Sequence, residues 1–215
     1  MIDTVIFDFD GTVMNTNRVI MASWQHTYRT ITGHEGDEKY ILSTFGEPLE
    51  LSLKNAFPHV PVEQSVEIYR DFHRDNFGPM IKPFPGIYDM LEKVKERGYK
   101  TGIATSRVRE TLEQGLEQYN MRKYFDAIVT VEEVTKHKPD PQMLLKVLKK
   151  LNSAPDRAVM LGDTLLDIIC AKSAGAGAIL VGWSEALAGK TISDFETKKA
   201  PDYIIHNPEE LFDII

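Results

Sequence analysis

The chain has almost no cysteine, no long apolar run and no excess of positive charge. Cys170 is the single cysteine among 215 residues, so an internal disulfide is excluded. Lysine and arginine total 25 against 32 aspartates and glutamates, for a net charge of −7. This balance favours neither a nucleic-acid partner nor a membrane surface. We therefore expect a local field to hold any anionic substrate.

Membrane-spanning and export patterns are missing as well. No apolar run approaches the roughly 20 residues that span a bilayer. The chain opens on a strand pattern instead of a basic region followed by an apolar stretch. We expect a cytoplasmic protein, and the sequence implies no protein partner. The length suits one α/β core with a modest insertion.

Strand and helix patterns alternate through most of the chain. A first buried strand is predicted at Val5–Phe7, and a closing helix around Pro208–Ile215. Helical spacing separates the remaining predicted strands, which are Lys100–Thr105, Ala127–Val131, Ala158–Leu161, Ala178–Val181 and Tyr203–Ile205. The alternation predicts a doubly wound, Rossmann-like α/β fold with a parallel sheet and helices on both faces.

The segment between the first strand and residue 84 shows only helical periodicity. Ile20, Trp24 and Tyr28 share one helix face. We predict a catalytic core of residues 1–14 and 84–215, with an inserted all-helical cap domain of residues 15–83. An insertion after the first strand would lie over its carboxyl end, in the position of a lid.

Two acids, Asp8 and Asp10, end the first strand. Open α/β sheets bind their ligands at the carboxyl ends of their strands. Two carboxylates ~4 Å apart repel by about 4 kcal/mol at an effective dielectric constant near 20. A cation is therefore expected at this position.

Other polar groups follow the later core strands. Thr105 and Ser106 follow one strand, Lys138 follows the next, and Asp163 and Asp167 follow a third. Parallel strands bring these groups to the same edge of the sheet. Four carboxylates with one lysine suit a hard divalent cation, most simply Mg²⁺.

The roles that we predict follow from this inventory. Asp8 and Asp163 would be direct metal ligands, Asp10 a ligand through its backbone oxygen, and Asp167 a ligand or the partner of one. Asp8 also suits a nucleophile that forms an aspartyl-phosphate, and Asp10 a general acid and base. Thr105 and the turn amides up to Gly11 would bind phosphoryl oxygens, beside the positive charge of Lys138.

The ordered segments Asp8–Thr12, Thr105, Lys138–Pro141 and Gly162–Asp167 resemble the four motifs of the haloacid dehalogenase superfamily. The match spans the predicted core. In that superfamily, an acid at the position of Asp10 implies the phosphatase and phosphomutase branches and not the dehalogenases. Lys138 is preceded by His137, where many relatives carry glycine.

The helical insertion resembles the cap of the phosphoglycolate phosphatase and pyrophosphatase-like group. Phe45–Leu49 resembles the substrate loop of that cap, which implies substrate contact at Gly46. The resemblance implies a Mg²⁺-dependent phosphoric monoester hydrolase for a small phosphorylated metabolite, with phosphoglycolate or pyrophosphate favoured. Ser106 is a further candidate substrate contact, and Arg107 could touch a phosphate or leaving group or could equally be solvated.

Two other functions stay open at this level. One is a phosphomutase of the β-phosphoglucomutase type, since cap details decide whether the phosphoryl group passes to water. The other is a phosphoacceptor signalling module, although a receiver has no lid and carries its acceptor aspartate on a later strand.

Several weaker patterns favour structural roles. The near nucleotide-binding loop at Ser184–Thr191 lacks its first glycine. Arg70 and Arg74 suit a surface face of a cap helix, and His137 an exposed loop. The remaining histidines lack ligand-like clustering; they are His26, His34, His59, His73 and His206.

Overall fold

The structure of the protein is a computed structural model that describes residues 1–184 and 189–215. The segment Ser184–Thr191 therefore lies partly outside the described residues. The strands of the described part are β1 Thr4–Phe7, β2 Met14–Asn15, β3 Lys82–Pro83, β4 Lys100–Ala104, β5 Ala127–Val129, β6 Ala158–Gly162, β7 Gly177–Val181 and β8 Tyr203–Ile205. Its α-helices are α1 Asn17–Thr32, α2 Glu38–Ser43, α3 Leu49–Ala56, α4 Val62–Met80, α5 Ile87–Glu96, α6 Arg109–Gln118, α7 Gln142–Leu151 and α8 Leu165–Ala174.

Within the described residues, six strands form one sheet in the order β5-β4-β1-β6-β7-β8. Each neighbouring pair is parallel. The predicted doubly wound α/β fold is confirmed. Strand β1 is central, between β4 and β6, and its four residues are buried.

The two faces of the sheet bury different side chains of β1. Val5 and Phe7 belong to a core cluster that includes residues of α5 and α6, whereas Ile6 belongs to a second cluster with α7 and α8. Alternation of this kind follows from the two-residue period of a strand. Because both faces are covered, polar side chains of β1 can reach solvent only beyond its end.

The helices α1 to α4 pack into a separate helical unit. Its own core contains Trp24, Ile41, Leu53, Phe57, Val66 and Tyr69. The chain leaves and rejoins the sheet through β2 and β3, an antiparallel pair. Sequence patterns did not predict this pair because a two-residue ladder shows no alternation.

Several predicted strands differ from the structure by one residue at an end, and two predicted elements differ by more. The strand that we predicted at Ala127–Val131 ends at Val129, because Thr130 and Glu133 form a capping box that starts a 3₁₀ turn. The closing helix is a 3₁₀ helix, Pro208–Asp213, and not an α-helix. The Glu210 amide donates to the Asn207 carbonyl and the Ile214 amide donates to the Leu211 carbonyl, and each bond spans three residues, as in a 3₁₀ helix. Among the described residues, none of the helices combines the length and apolar character needed to cross a membrane.

Candidate active site

Asp8 and Asp10 lie in a tight turn that directly follows β1. The Asp8 amide donates to the carbonyl of Leu161 on β6, which fixes Asp8 at the sheet edge. Gly11 adopts a φ of +71°, a left-handed conformation that glycine tolerates best. The Gly11 amide donates to the Met14 carbonyl. This amide is therefore engaged within the turn, and phosphate binding through it, as predicted above, would require that bond to break.

Three buried carboxylates meet at this edge of the sheet. One ligand atom from each of Asp8, Asp163 and Asp167 lies within 4.8 Å of the others. Lys138 Nζ donates to Asp8 Oδ1 at 2.8 Å and to Asp167 Oδ1 at 2.6 Å. The lysine side chain is only 2% exposed. The structure thus brings three of the predicted carboxylates together, and the buried Lys138 ammonium bonds to two of them.

Asp167 is also held by its own helix. Its Oδ2 accepts hydrogen bonds from the amide and the hydroxyl of Thr164, which form the capping box of α8. With Lys138 on Oδ1, both carboxylate oxygens of Asp167 have protein donors. This arrangement favours a supporting role for Asp167 over direct ligation.

The charges in the cluster do not balance. Burial raises the pKa of Asp8 to about 7, and Asp167 and Asp10 add to this rise while Lys138 opposes it. Burial, followed by the charges of Asp167 and Asp8, raises the pKa of Asp163 well above its ordinary value. Burial lowers the pKa of Lys138, but the two carboxylates outweigh burial and raise it overall.

Among the described residues, three carboxylates of the cluster therefore share one ammonium, which leaves two negative charges uncompensated. Buried charges need a partner or they take up a proton. Oxygen ligands with this charge deficit fit a hard divalent cation. The donor set thus agrees with the predicted Mg²⁺ site.

Asp10 lies outside the cluster and has its own cationic partner. Arg107 Nη2 donates to Asp10 Oδ1 at 2.7 Å and Arg107 Nε donates to Oδ2 at 2.9 Å. Burial raises the pKa of Asp10, but the charge and hydrogen bonds of Arg107 outweigh burial and lower it. Arg107 is therefore not solvated, since its side chain is only 7% exposed, and its contact with a phosphate or leaving group stays a prediction.

Thr105 and Ser106 occupy the end of β4. The Thr105 hydroxyl oxygen accepts the amide of Arg107 at 3.2 Å, so its own proton stays available for another acceptor. Ser106 instead donates to the carbonyl of Gly46 at 3.1 Å. Ser106 thus joins the core to the helical unit.

A cleft of about 560 Å³ lies between the core and the helical unit. Asp8, Asp10 and Thr105 line its core side, and Trp24 and Gly46 line the opposite side. Predicted site residues from four strand ends and from one loop of the helical unit therefore face a single cavity.

The comparison with known proteins decides the family. The model of the haloacid dehalogenase-like hydrolase family matches residues 5–181. The chain belongs to this family.

Relatives in the family resemble this chain along its whole length. Pyrophosphatase PpaX from Halalkalibacterium halodurans is 33% identical over all of this chain and 97% of that protein. A haloacid dehalogenase-like family hydrolase from Streptococcus pneumoniae has a solved structure with a TM-score of 0.85 and 25% identity, over 99% of this chain and 98% of that one. A candidate beta-phosphoglucomutase from Thermotoga maritima reaches 0.75 at 25% identity, over 99% and 98% of the two chains. These similarities confirm the resemblance to the phosphatase group of the family.

The sequence patterns did not predict that three further residues lie in the site. Ser184 is buried and donates to Asp163 Oδ2 at 2.6 Å. His73 is buried in α4 and contacts Arg107, whereas we expected a histidine without ligand-like surroundings. His137 lines the cleft and is half-buried, so it is not the exposed loop residue that we expected.

Arg70 and Arg74 also line the cleft. Each side chain is exposed and pairs with a neighbouring acid, Glu50 for Arg70 and Asp71 for Arg74. The predicted surface face of α4 and the rim of the cleft are therefore the same surface.

Proposed function

We propose that this protein is a Mg²⁺-dependent phosphatase that acts on a small phosphorylated metabolite through an aspartyl-phosphate at Asp8. One observation supports this most directly. The Asp8 carboxylate lies on the floor of the cleft, beside Asp163 and Asp167, with Lys138 bonded to one of its oxygens. A carboxylate in this setting can attack phosphorus without a general base.

The proposed metal ligands are Asp8, Asp163 and the backbone oxygen of Asp10, with Asp167 as a ligand or as support for one. A bound Mg²⁺ would supply positive charge to the oxygens of the transferring phosphoryl group and would offset the charge deficit of the buried cluster.

In the first step, the phosphoryl group is transferred to Asp8 with the help of Lys138 and Thr105. Lys138 binds Oδ1 of Asp8, and no hydrogen bond from the described residues engages Oδ2, so we assign the attack on phosphorus to Oδ2. The new bond from Oδ2 to phosphorus forms as the bond to the leaving group breaks. The free hydroxyl proton of Thr105 and the charge of Lys138 stabilise the phosphoryl oxygens.

In the second step, Asp10 assists hydrolysis of the aspartyl-phosphate. Because Arg107 keeps Asp10 ionised, the carboxylate can take a proton from the water that attacks the aspartyl-phosphate. The bond between phosphorus and Asp8 Oδ2 breaks, phosphate is released and Asp8 is restored, and Asp10 loses its proton to solvent before the next turnover. In the first step, the same ionised state suits a leaving group that departs as an anion, such as phosphate from pyrophosphate.

We therefore favour pyrophosphate as substrate, in agreement with the name of the 33% identical relative. The reaction would then be anhydride hydrolysis. Phosphoglycolate is the next candidate and would make the protein a phosphoric monoester hydrolase. We propose that residues 15–83 act as a cap that closes the cleft over either substrate and excludes water.

A phosphomutase is the second candidate. It is supported by the whole-chain similarity to the candidate beta-phosphoglucomutase. Conversion of glucose 1-phosphate to glucose 6-phosphate, without release of phosphate, would favour it over hydrolysis.

The test is phosphate release from pyrophosphate, phosphoglycolate and glucose 1-phosphate, with Mg²⁺ or with EDTA. We expect many turnovers per protein with Mg²⁺, none with EDTA and none in Asp8→Asn. A single phosphate per protein would instead favour a phosphoacceptor module. Full activity of Asp8→Asn would move the nucleophile to another residue.

A further inference from the structure

The Arg107 guanidinium is held on every side. Beyond its three hydrogen bonds to Asp10, its Nη1 lies 3.1 Å from Thr111 Oγ1 and 3.1 Å from His73 Nε2. Its central carbon lies 4.6 Å from the centroid of the Phe77 ring. The side chain is only 7% exposed. Arg107 lies on the core loop after β4, whereas His73 and Phe77 lie on α4 of the helical unit.

The contacts of His73 fix which nitrogen carries the proton. An arginine side chain only donates hydrogen bonds, so His73 Nε2 accepts the one from Arg107. The proton therefore lies on Nδ1, which is 3.2 Å from Ser23 Oγ. Ser23 Oγ accepts it, because its own proton goes to the Val19 carbonyl at 2.6 Å. Continuous hydrogen bonds thus connect Arg107 through His73 and Ser23 to the backbone of α1.

The surroundings keep His73 in this neutral form. The ring is stacked on Tyr69, with centroids 5.6 Å apart, and the residue is 7% exposed. Burial, followed by the charge of Arg107, lowers the pKa of His73 to about 3. Its Nε2 therefore stays an acceptor near neutral pH.

We propose that His73 is a positioning residue that orients Arg107, and that through Arg107 it aligns Asp10 from the cap side of the cleft. The catalytic consequence rests on the proposed function, because it requires Asp10 to act on the attacking water. The alignment itself is a property of the folded chain and can be measured without turnover.

If His73 had only a structural role, the protein would not need a hydrogen-bond acceptor at the position of Nε2. Stacking on Tyr69 and packing against Phe77 require only a flat ring or an apolar side chain. The alignment of Arg107 requires an acceptor at the position of Nε2. A variant that keeps the acceptor and loses the ring therefore separates the two roles.

The variants are His73→Leu, which removes the acceptor, and His73→Gln, whose side-chain oxygen can take the place of Nε2. His26→Leu is the matched control, since His26 of α1 is stacked on Phe72 and does not contact Arg107. Each variant receives a thermal melt, a measurement of hydrogen exchange at Arg107 Nε–H by NMR, and steady-state kinetics with pyrophosphate and Mg²⁺.

Loss of a hydrogen bond to a charged group lowers the population of the aligned conformation, relative to the others, by about tenfold or more. We expect His73→Leu to exchange the Arg107 Nε proton about tenfold faster and to lose about tenfold in kcat, with KM within about twofold. His73→Gln should recover most of both losses. His26→Leu should match the parent in exchange and in kcat, even if it melts earlier.

Two results would overturn the proposal. One is an Arg107 proton that exchanges equally fast in His73→Leu and in the parent. The other is equal losses in His73→Gln and His73→Leu. A parent protein that turns over none of the phosphorylated substrates would refute the proposed function, while the exchange data would still decide the alignment.

Discussion

The replacement Asp163→Asn tests the charge deficit of the site. Asp163 is the carboxylate of the cluster for which the described residues provide no cationic partner, only the Ser184 hydroxyl. An asparagine oxygen can accept that hydrogen bond as well. The substitution therefore removes a charge and retains its contact.

The magnitude follows from Coulomb's law. Two charges 4.8 Å apart, the spacing limit of the cluster, repel by about 3 kcal/mol at an effective dielectric constant near 20. Asp163 has two such neighbours, Asp8 and Asp167, and Lys138 offsets one of them. The metal-free variant should gain about 3 kcal/mol, which is roughly 6 to 12 °C in melting temperature for a chain of this size.

The sign of the pH dependence follows from the raised pKa values. Between the unfolded pKa of 3.8 and the folded pKa of Asp8, about 7, the native protein holds protons that the unfolded chain has lost. The contribution of Asp8 to stability therefore falls as pH rises through this window, and the raised pKa of Asp163 acts in the same direction. The advantage of Asp163→Asn should be largest near about pH 8 and should shrink towards about pH 5.

The assay is thermal unfolding at these two pH values, with EDTA or with Mg²⁺. Mg²⁺ should raise the melting temperature of the parent and should raise that of Asp163→Asn far less. Asp156→Asn, at an exposed position, is the control and should follow the parent. The charge argument is refuted if metal-free Asp163→Asn melts below the parent near about pH 8, or if Mg²⁺ stabilises both proteins equally.

Three further predictions concern the same site. A Cβ on Gly11 would lie 1.9 Å from Asp163 Oδ2, so Gly11→Ala should lose both activity and Mg²⁺ binding, the latter measured by calorimetry. The control is Gly98→Ala, since Gly98 has a similar φ and open space around it. This control should lose only about 1 kcal/mol of stability. Ser184→Ala removes the donor to Asp163 and should weaken Mg²⁺ about tenfold, whereas Ser173→Ala on exposed α8 surface should not. EDTA should stop phosphate release, and added Mg²⁺ should restore it; release that persists in EDTA would contradict the metal requirement.

The fold and the core motifs could be predicted because local patterns carry them. Short β-branched runs alternate with helical stripes, and parallel strands must end at the same edge of the sheet. Asp8, Lys138 and Asp163 therefore meet although they lie far apart in sequence. The placement required no knowledge of side-chain packing.

The supporting contacts could not be predicted in this way. His73 reaches Arg107 only because α4 packs over the loop after β4, and a lone histidine in a helix carries no pattern of its own. Ser184 lies beyond the end of β7. The sequence around it indicated only an incomplete nucleotide-binding motif and gave no reason to place it beside Asp163. The bond from the Gly11 amide to Met14 depends on the turn conformation, which residue spacing does not specify.

The most direct test of the account is to trap the intermediate on Asp8. Asp10→Asn should slow hydrolysis of an aspartyl-phosphate by roughly 10² or more, so acid quenching during turnover with pyrophosphate and Mg²⁺ should preserve it. We predict that mass spectrometry will find one added phosphoryl group, on the peptide that contains Asp8, and none in Asp8→Asn. Steady phosphate release with no phosphorylated peptide, or a phosphoryl group on a different residue, would contradict the account.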